Sequence, residues 1–325
     1  MKKLFVEDLK VGDSVFGELF AVKGHKKTAT RNNRPYIDVE LSDKTGSIKG
    51  KIWSDDMPKC ENVQETDVVS VSATIEDFNG PQMRITNVSK VEKYDLADFQ
   101  PTTDKDIDKM FSEITEAAEK VKNPHLKKLL KEFLKDKDTV EKYKKVAAGR
   151  AVHHAYLGGV LDHTTEILNL IPGMRKVHQK LNKDILITSA ILHDIGKIHE
   201  YEVSTTIIIT PKGKLLGHIF MGAEMVKVYG EKAKIDENLL DEIIHMILSH
   251  HGKMEYGSPV LPKTPEAIAL YMLDDTSAKL NTAFKALESG EGEEKEMFTG
   301  FHRILGTELY RSPYADELTN EDIPF

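Results

Sequence analysis

A single cysteine, Cys60, is all that 325 residues contain. That excludes an intramolecular disulfide and a thiolate zinc cluster, fits a reducing compartment, and leaves His, Asp and Glu as the only strong metal donors. Long apolar runs are missing too. The longest, Ile185 to Leu192, holds eight residues and includes Thr188 and Ser189, far short of the ~20 that a bilayer crossing needs. The opening MKKLFVEDLK has only three apolar residues between its lysines and Glu7, too few for the apolar core of a secretion signal. These absences predict a cytoplasmic protein with no membrane partner. A basic excess is also lacking, since the formal net charge is −8, which argues against a generally sticky polyanion binder.

What is present is uneven. Residues 287–325 hold 3 basic and 10 acidic side chains, so most of the negative charge sits in the C-terminal tail. Two basic islands stand out: Lys23 to Arg34, with five Lys/Arg and no acid, and Lys120 to Arg150, with eleven against four. Such islands can grip a phosphate backbone within an acidic protein, although lysines that solvate a helix face give the second island an ordinary explanation. Ten of the thirteen histidines lie between Ala151 and Leu287. At roughly 150 residues per domain the length predicts two or three compact units.

Residues 11–92 alternate apolar and polar side chains and are cut by the turn signals Arg31-Asn-Asn and Asp43-Lys-Thr-Gly. The pattern predicts strands near 14–27, 35–42, 47–53, 67–76 and 81–92, with a short helix or irregular connector after the third. Five strands broken after the third are the pattern of an OB-fold, a small barrel that binds single strands or oligosaccharides. Alternation puts Lys49, Lys51 and Trp53 on the face opposite Ile48 and Ile52, and Tyr36 opposite Ile37. With the basic loop Lys23, Lys26, Lys27, Arg31 and Arg34 beside them, these residues form a candidate stacking platform with a phosphate grip. Asp38 and Glu40 share the platform's face, and Trp53 plugging the barrel end is the competing reading.

After Pro101, helical spacing runs from Ile107 to about Val146 with a break at Asn123-Pro124, which predicts a helical connector. Further helices are expected at about 155–171, 184–197, 218–229, 237–251 and 265–287. TTIIITPKGK, with its β-branched run and Pro-Lys-Gly turn, predicts a small hairpin at about 202–215. Met221, Met225, Met246 and Met272 read as core filling.

The chemistry gathers in the helical half. HDIGK at 193–197 closes an apolar helix; His163 lies thirty residues earlier, His218 opens a helix, His250-His251 close another, and Asp274 sits within one. All fall among apolar neighbours, where an unpaired imidazole or carboxylate is costly. A shared ligand would relieve that cost. Two imidazoles and two carboxylates suit a six-coordinate ion with open positions, such as Mn²⁺, Fe²⁺ or Co²⁺, with Mg²⁺ a further option. His218, His250 and His251 suffice for a second ion, with Asp194 as the bridge. Lys197, a turn beyond His193, is placed to neutralise a phosphate, unless it is a solvent-facing lysine ending the helix. His153 and His154 are candidates for the substrate entrance.

The series His163, His193-Asp194 and Asp274 resembles the HD-domain metal-dependent phosphohydrolases, an all-helical fold. Together with HHAYLGGVLDHT at 153–164, KLLGHI at 214–219 and LSHHG at 248–252, it is similar to the YhaM-type 3′→5′ exoribonucleases of bacteria, which also carry an N-terminal OB domain. Asp275-Thr276-Ser277 departs from the Asn-Leu-Asp expected after the ligand aspartate, so Asp274 is the ligand choice and Asp275 the alternative.

The expectation is therefore an α+β multidomain chain: a five-stranded OB barrel over 1–100, a helical connector over 101–150, an all-α HD domain with a small hairpin over 151–290, and an acidic extension over 291–325. The resemblance implies a manganese-type divalent centre of one or two ions that releases 5′-mononucleotides from the 3′ ends of single-stranded RNA or DNA. Asp194 and Lys197 are the candidate catalytic residues. A homo-oligomer is left open. Two rivals stand beside this reading: a nucleotide or cyclic-dinucleotide phosphohydrolase, for which the barrel would be superfluous, and a replication-associated DNA-binding protein whose HD site is structural.

Overall fold

A computed structural model describes residues 2–30, 32–78, 80–149, 153–288 and 297–314. Arg31 and residues 291–296 and 315–325 of the acidic extension lie outside the described residues.

The alternating N-terminal segment closes into a barrel of five strands: β1 (Ser14–Ala29), β2 (Pro35–Asp43), β3 (Gly46–Trp53), β4 (Val68–Asp77) and β5 (Pro81–Lys90), in the order β1-β2-β3-β5-β4. This is the OB-type barrel that the strand spacing predicts. β1 serves two neighbours, pairing with β4 through Ser14–Ala21 and with β2 through Ala21–Ala29. An irregularity in register between Val22 and Gly24 lets it bend from one to the other. Inward side chains, among them Phe20, Val22, Leu41, Ile52, Ile75, Met83 and Ile85, fill the interior. Lys23, Lys26 and Lys27 belong to the far half of β1, within the strand expected near 14–27, so the basic grip named as a loop is for these three a paired strand.

Three helices follow the linker: α1 (Ile107–Glu119), α2 (Pro124–Lys135) and α3 (Lys137–Lys145). Asp106, Asn123 and Asp136 cap them by accepting backbone N–H groups of the first turn. Their apolar stripes, including Ile114, Leu126, Leu130 and Phe133, join one continuous core with Ile167, Leu186, Ile191, Ile243 and Leu270 of the later helices. The connector is therefore packed into the helical body.

That body continues with α4 (Gly159–Val177), α5 (Lys183–Leu192), the short α6 (Lys197–Glu200), α7 (Pro211–Ala233), α8 (Glu237–Ser249) and α9 (Pro265–Glu288). The hairpin is shorter than expected, β6 (Tyr201–Val203) with β7 (Ile207–Ile209). Pro211-Lys-Gly is not its turn but the start of α7: Thr210 accepts the Gly213 N–H at 2.8 Å as N-cap, and proline suits the first helical position because its missing N–H has no intrahelical partner there. Met272, expected in the core, is 51% exposed on α9.

The hairpin docks the helical body on the barrel. Thr205, buried at its tip, donates its hydroxyl to the Thr66 carbonyl at 3.1 Å and accepts the Gln100 side-chain amide on its own carbonyl. Beside this contact lies a cleft of about 620 Å³, lined by Lys23 and Thr66 of the barrel, Ile207 and Ile209 of the hairpin, Ala155 and Lys214.

Candidate metal centre and strand-binding face

From Ile185 onwards α5 carries only Thr188 and Ser189 as polar side chains and is buried along its whole length, so the HDIGK turn that ends it is delivered into the interior. His193 and Asp194 are 0% and 1% exposed. Gly196 is what allows α7 to meet this turn: a Cβ there would lie 2.0 Å from the His218 carbonyl oxygen. α7 itself breaks at Gly217, where φ is +69°, a conformation that side chains disfavour. The break aims His218 at Asp194 from the other side. α4 supplies His163, the end of α8 supplies His250 and His251, and α9 supplies Asp274.

Asp194 lies at the centre. Its Oδ1 is 3.6 Å from His218 Nε2 and 3.7 Å from His250 Nε2. Its Oδ2 is 3.4 Å from His193 Nε2 and 4.0 Å from His163 Nε2. His163 Nε2 lies 2.8 Å from Asp274 Oδ1, and His193 Nε2 is 3.9 Å from the same oxygen. The donors therefore fall into two groups, His163–His193–Asp274 and His218–His250–His251, each with its atoms within 4.8 Å of one another. Asp194 turns one oxygen towards each. Asp275 points away and pairs with Lys279 at 2.7 Å.

The outer nitrogens are all engaged. His193 Nδ1 donates to the Ala190 carbonyl at 2.8 Å, His250 Nδ1 to Ile247 at 2.6 Å and His251 Nδ1 to Tyr256 at 2.8 Å. His218 Nδ1 donates to Glu200 at 2.9 Å, and His163 Nδ1 to the Ser277 hydroxyl at 2.9 Å. With each proton on Nδ1, every Nε2 presents a lone pair inward. Among the described residues the Nε2 atoms of His193, His218 and His250, and Asp194 Oδ1, are buried with no hydrogen-bond partner. A buried unpaired polar atom costs about 1–3 kcal/mol, and several acceptors facing one another cost more.

Charge sharpens the point. Burial, reinforced by His251 and His193, holds His250 well below the usual imidazole range, and burial lowers His251 as well. His193 behaves oppositely: burial would lower it, but Asp194 and Asp274 outweigh burial and raise it. Burial alone would raise Asp194, yet Lys197, His193 and His218 reverse the sign and keep it ionised well below the carboxylate range. Asp274 is ionised for the same kind of reason, with His163 its chief partner, while burial keeps His163 below its ordinary value. With its proton on Nδ1, His163 turns a lone pair towards the Asp274 oxygen 2.8 Å away, a contact that a cation shared by the two would relieve. In an octahedral site with bonds near 2.1 Å, neighbouring donors lie about 3 Å apart and opposite donors about 4.2 Å; the separations here fall between or close to those values. The donor set fits divalent ions.

Lys197 is no solvent-facing lysine. It is 4% exposed, and its Nζ lies 2.7 Å from Asp194 Oδ2. His153 stacks near His163 with ring centroids 5.5 Å apart, and burial, with Lys197 and His163 beside it, pushes it down to about 2. His154 is fully buried, 3.3 Å from Glu166. Sequence reasoning missed Glu166, Ser277 and Glu200. Glu166 and Ser277 had a signal, because each lies one turn past a candidate ligand on the same helix, Glu166 past His163 on α4 and Ser277 past Asp274 on α9; Glu200 follows no ligand candidate at that spacing.

On the barrel, β2–β3 register sets Tyr36 opposite Trp53, Asp38 opposite Lys51 and Glu40 opposite Lys49. Tyr36 and Trp53 rings lie 5.3 Å apart, and Lys51 Nζ lies 5.2 Å from the first, 5.8 Å from the second and 4.8 Å from Phe78. Phe78, 65% exposed in the β4–β5 turn, is a third aromatic that the sequence reading passed over. An apolar side chain inside the turn sequence Asp-Phe-Asn-Gly was its signal. Lys23 pairs with Glu40 at 3.2 Å, and Lys23 and Lys49 lower that carboxyl below its usual range against the opposing effect of burial. Lys26 stands opposite Asp38 on the platform's face, Lys27 opposite Ile37 on the other, and Arg34 is exposed at the β1–β2 turn. The two acids are thus flanked by lysines.

Residues 160–279 match the HD domain family. The whole chain is similar to proteins described as 3′-5′ exoribonuclease YhaM. It is 32% identical to that of Geobacillus sp. (strain WCH70), with 96% of each chain covered. It is 30% identical to that of Bacillus subtilis (strain 168), over 86% of this chain and 89% of the relative. Among solved structures, the second OB-fold domain of replication protein A from Methanococcus maripaludis matches at 21% identity, covering 28% of this chain and 96% of that one, with a TM-score of 0.22.

Proposed function

Because the chain belongs to the YhaM family of 3′-5′ exoribonucleases, we propose that it shortens single-stranded RNA from the 3′ end, releasing 5′-mononucleotides at a divalent-metal centre. One observation carries the assignment of the site: four buried imidazole lone pairs, those of His163, His193, His218 and His250, converge on the two oxygens of one buried carboxylate. His163, His193 and Asp274 would hold one ion and His218, His250 and His251 a second, with Asp194 shared. Mixed imidazole and carboxylate donors with open positions favour Mn²⁺, with Co²⁺, Fe²⁺ and Mg²⁺ as alternatives. Such ions make a water acidic enough to attack and neutralise the phosphate oxygens.

The chain's own residues do the rest. Asp194 is held ionised so that both its oxygens are available, and Lys197 keeps its orientation while bringing an ammonium beside the charge that develops on the phosphate. Hydrolysis adds the hydroxyl of water to the last phosphorus. The bond from that phosphorus to the preceding 3′-oxygen breaks, and that oxygen takes the proton. The Tyr36, Trp53 and Phe78 rings accept unpaired bases, while Lys26, Lys49 and Lys51 meet phosphates. The cleft lined by Lys23, Ala155 and Lys214 opens between the barrel and the helical body, and Ala155 is two residues along the chain from His153. A deep site served by a remote grip favours a chain end over the middle of a strand.

The test is a single-stranded RNA labelled at either end, incubated with Mn²⁺. The 3′ label should leave as a mononucleotide and the 5′ label should shorten stepwise. Chelator or Asp194→Ala should stop both, and a circular strand should resist. Cleavage of the circle at a comparable rate, or undiminished turnover by Asp194→Ala, contradicts the proposal.

A further inference from the structure

Four of the five imidazoles facing the proposed ions rest on a rigid acceptor. His193, His250 and His251 donate to backbone carbonyls, and His218 donates to the Glu200 carboxylate. His163 alone donates to a hydroxyl, that of Ser277, which is 2% exposed. A serine hydroxyl is a weak acceptor that rotates freely unless its own proton is committed. Here the proton is committed: Ser277 Oγ donates to Glu166 Oε2 at 2.7 Å. Glu166 is held in turn by Lys105, whose Nζ lies 3.4 Å from its Oε1 and 2.6 Å from Asp162. Asp162 also accepts the Tyr156 hydroxyl at 2.7 Å and the Thr103 hydroxyl at 3.1 Å. A continuous line of hydrogen bonds therefore runs from His163 to Thr103 and Lys105, in the linker that leaves the barrel.

We propose that Ser277 and Glu166 are positioning residues for the ion at His163, Glu166 acting through the serine as the carboxylate that fixes the imidazole's tautomer and orientation. This rests on the reading in which His163 is a ligand. With the serine O–H donating to Glu166, Oγ turns a lone pair to His163, so Nδ1 donates to it and the neutral ring leaves Nε2 unprotonated towards Asp274. A carboxylate behind a ligating histidine also raises its donor strength, and losing such a partner typically weakens metal binding 10–100-fold. The partner of His218 is a different carboxylate on a different helix, so the second site should not feel the change.

The test is titration of the intact protein with Mn²⁺ by calorimetry and with Co²⁺ by visible absorption, without substrate, with circular dichroism reporting the fold. Ser277→Ala and Glu166→Gln should each weaken one binding event about 10–100-fold and leave the other unchanged. The double variant Ser277→Asp/Glu166→Gln should restore it, because an aspartate at 277 accepts the His163 Nδ1–H directly and the glutamine amide can donate to that aspartate without like-charge repulsion. His163→Gln is the control for the underlying reading. If it leaves every binding event intact, His163 is not a ligand and that reading fails. If it removes one event while Ser277→Ala leaves that event at wild-type affinity, the ligand stands and the relay is refuted. Equal weakening of both events, or no recovery in the double variant, likewise refutes the relay.

Discussion

Truncating Trp53 to alanine separates strand capture from chemistry. Trp53 is half-buried at the end of β3, paired with Tyr36 across the β2–β3 ladder and outside the barrel interior filled by Ile52 and Ile85. Its loss opens no core cavity, and the cost to the fold is that of one cross-strand pair, about 0.2–1 kcal/mol. What disappears is a stacking surface for one base and one of three rings around Lys51. Base–aromatic stacking contributes about 1–3 kcal/mol per base, so affinity for a strand that reaches the barrel should fall roughly 5–150-fold. Fluorescence anisotropy under chelator measures that affinity without hydrolysis, and steady-state kinetics with Mn²⁺ should show the same factor in KM at an unchanged kcat. A dinucleotide, too short to span both surfaces, should be cut as before. Unchanged affinity for long strands would refute the platform, and an equal loss on dinucleotides would show that the damage had spread to the metal centre.

Three further outcomes follow from named side chains. Replacing Lys23, Lys26 and Lys51 by glutamine should weaken long-strand binding and flatten its salt dependence by about 0.7 in log–log slope for each phosphate no longer neutralised; an unchanged slope would remove these lysines from the interface. Lys197→Met should lower kcat about 10²–10³-fold with little change in KM, because the ammonium stabilises charge that appears only as the bond breaks; a pure KM effect would make it a binding group. Asp136, held below its ordinary 3.8 chiefly by the Tyr229 hydroxyl, stabilises the fold above that pH and loses its contribution as pH falls through the lowered value. Asp136→Asn keeps the α3 cap, so its deficit in urea unfolding, about 1 kcal/mol at neutral pH, should shrink in acid; a deficit independent of pH would exclude the charge as its source.

The strands and most helices could be read in the sequence because their periods are set by local geometry, and β1 to β5 begin and end within a few residues of the alternation. What failed locally was chemistry shared by two structures. Pro211 suits a turn and a first helical turn equally, and only Thr210 accepting the Gly213 N–H decides between them. The apolar stripes of α1 to α3 showed that something covers them, but not that it is the core of α4 to α9. At the site, ligand types and the HDIGK turn marked the inner residues, while the partners behind them are ordinary polar residues over a hundred positions apart in the case of His163 and Ser277.

The central claim is that Asp194 is shared between two ions held by separate sets of histidines. Crystals grown with Mn²⁺ and measured near the manganese absorption edge test it directly, because anomalous peaks locate the ions without reference to any assumed ligand. Two peaks should flank the Asp194 carboxylate, one contacted by His163, His193 and Asp274 and the other by His218, His250 and His251. Peaks that avoid Asp194, or a single ion with one of the two histidine sets left unused, would contradict it.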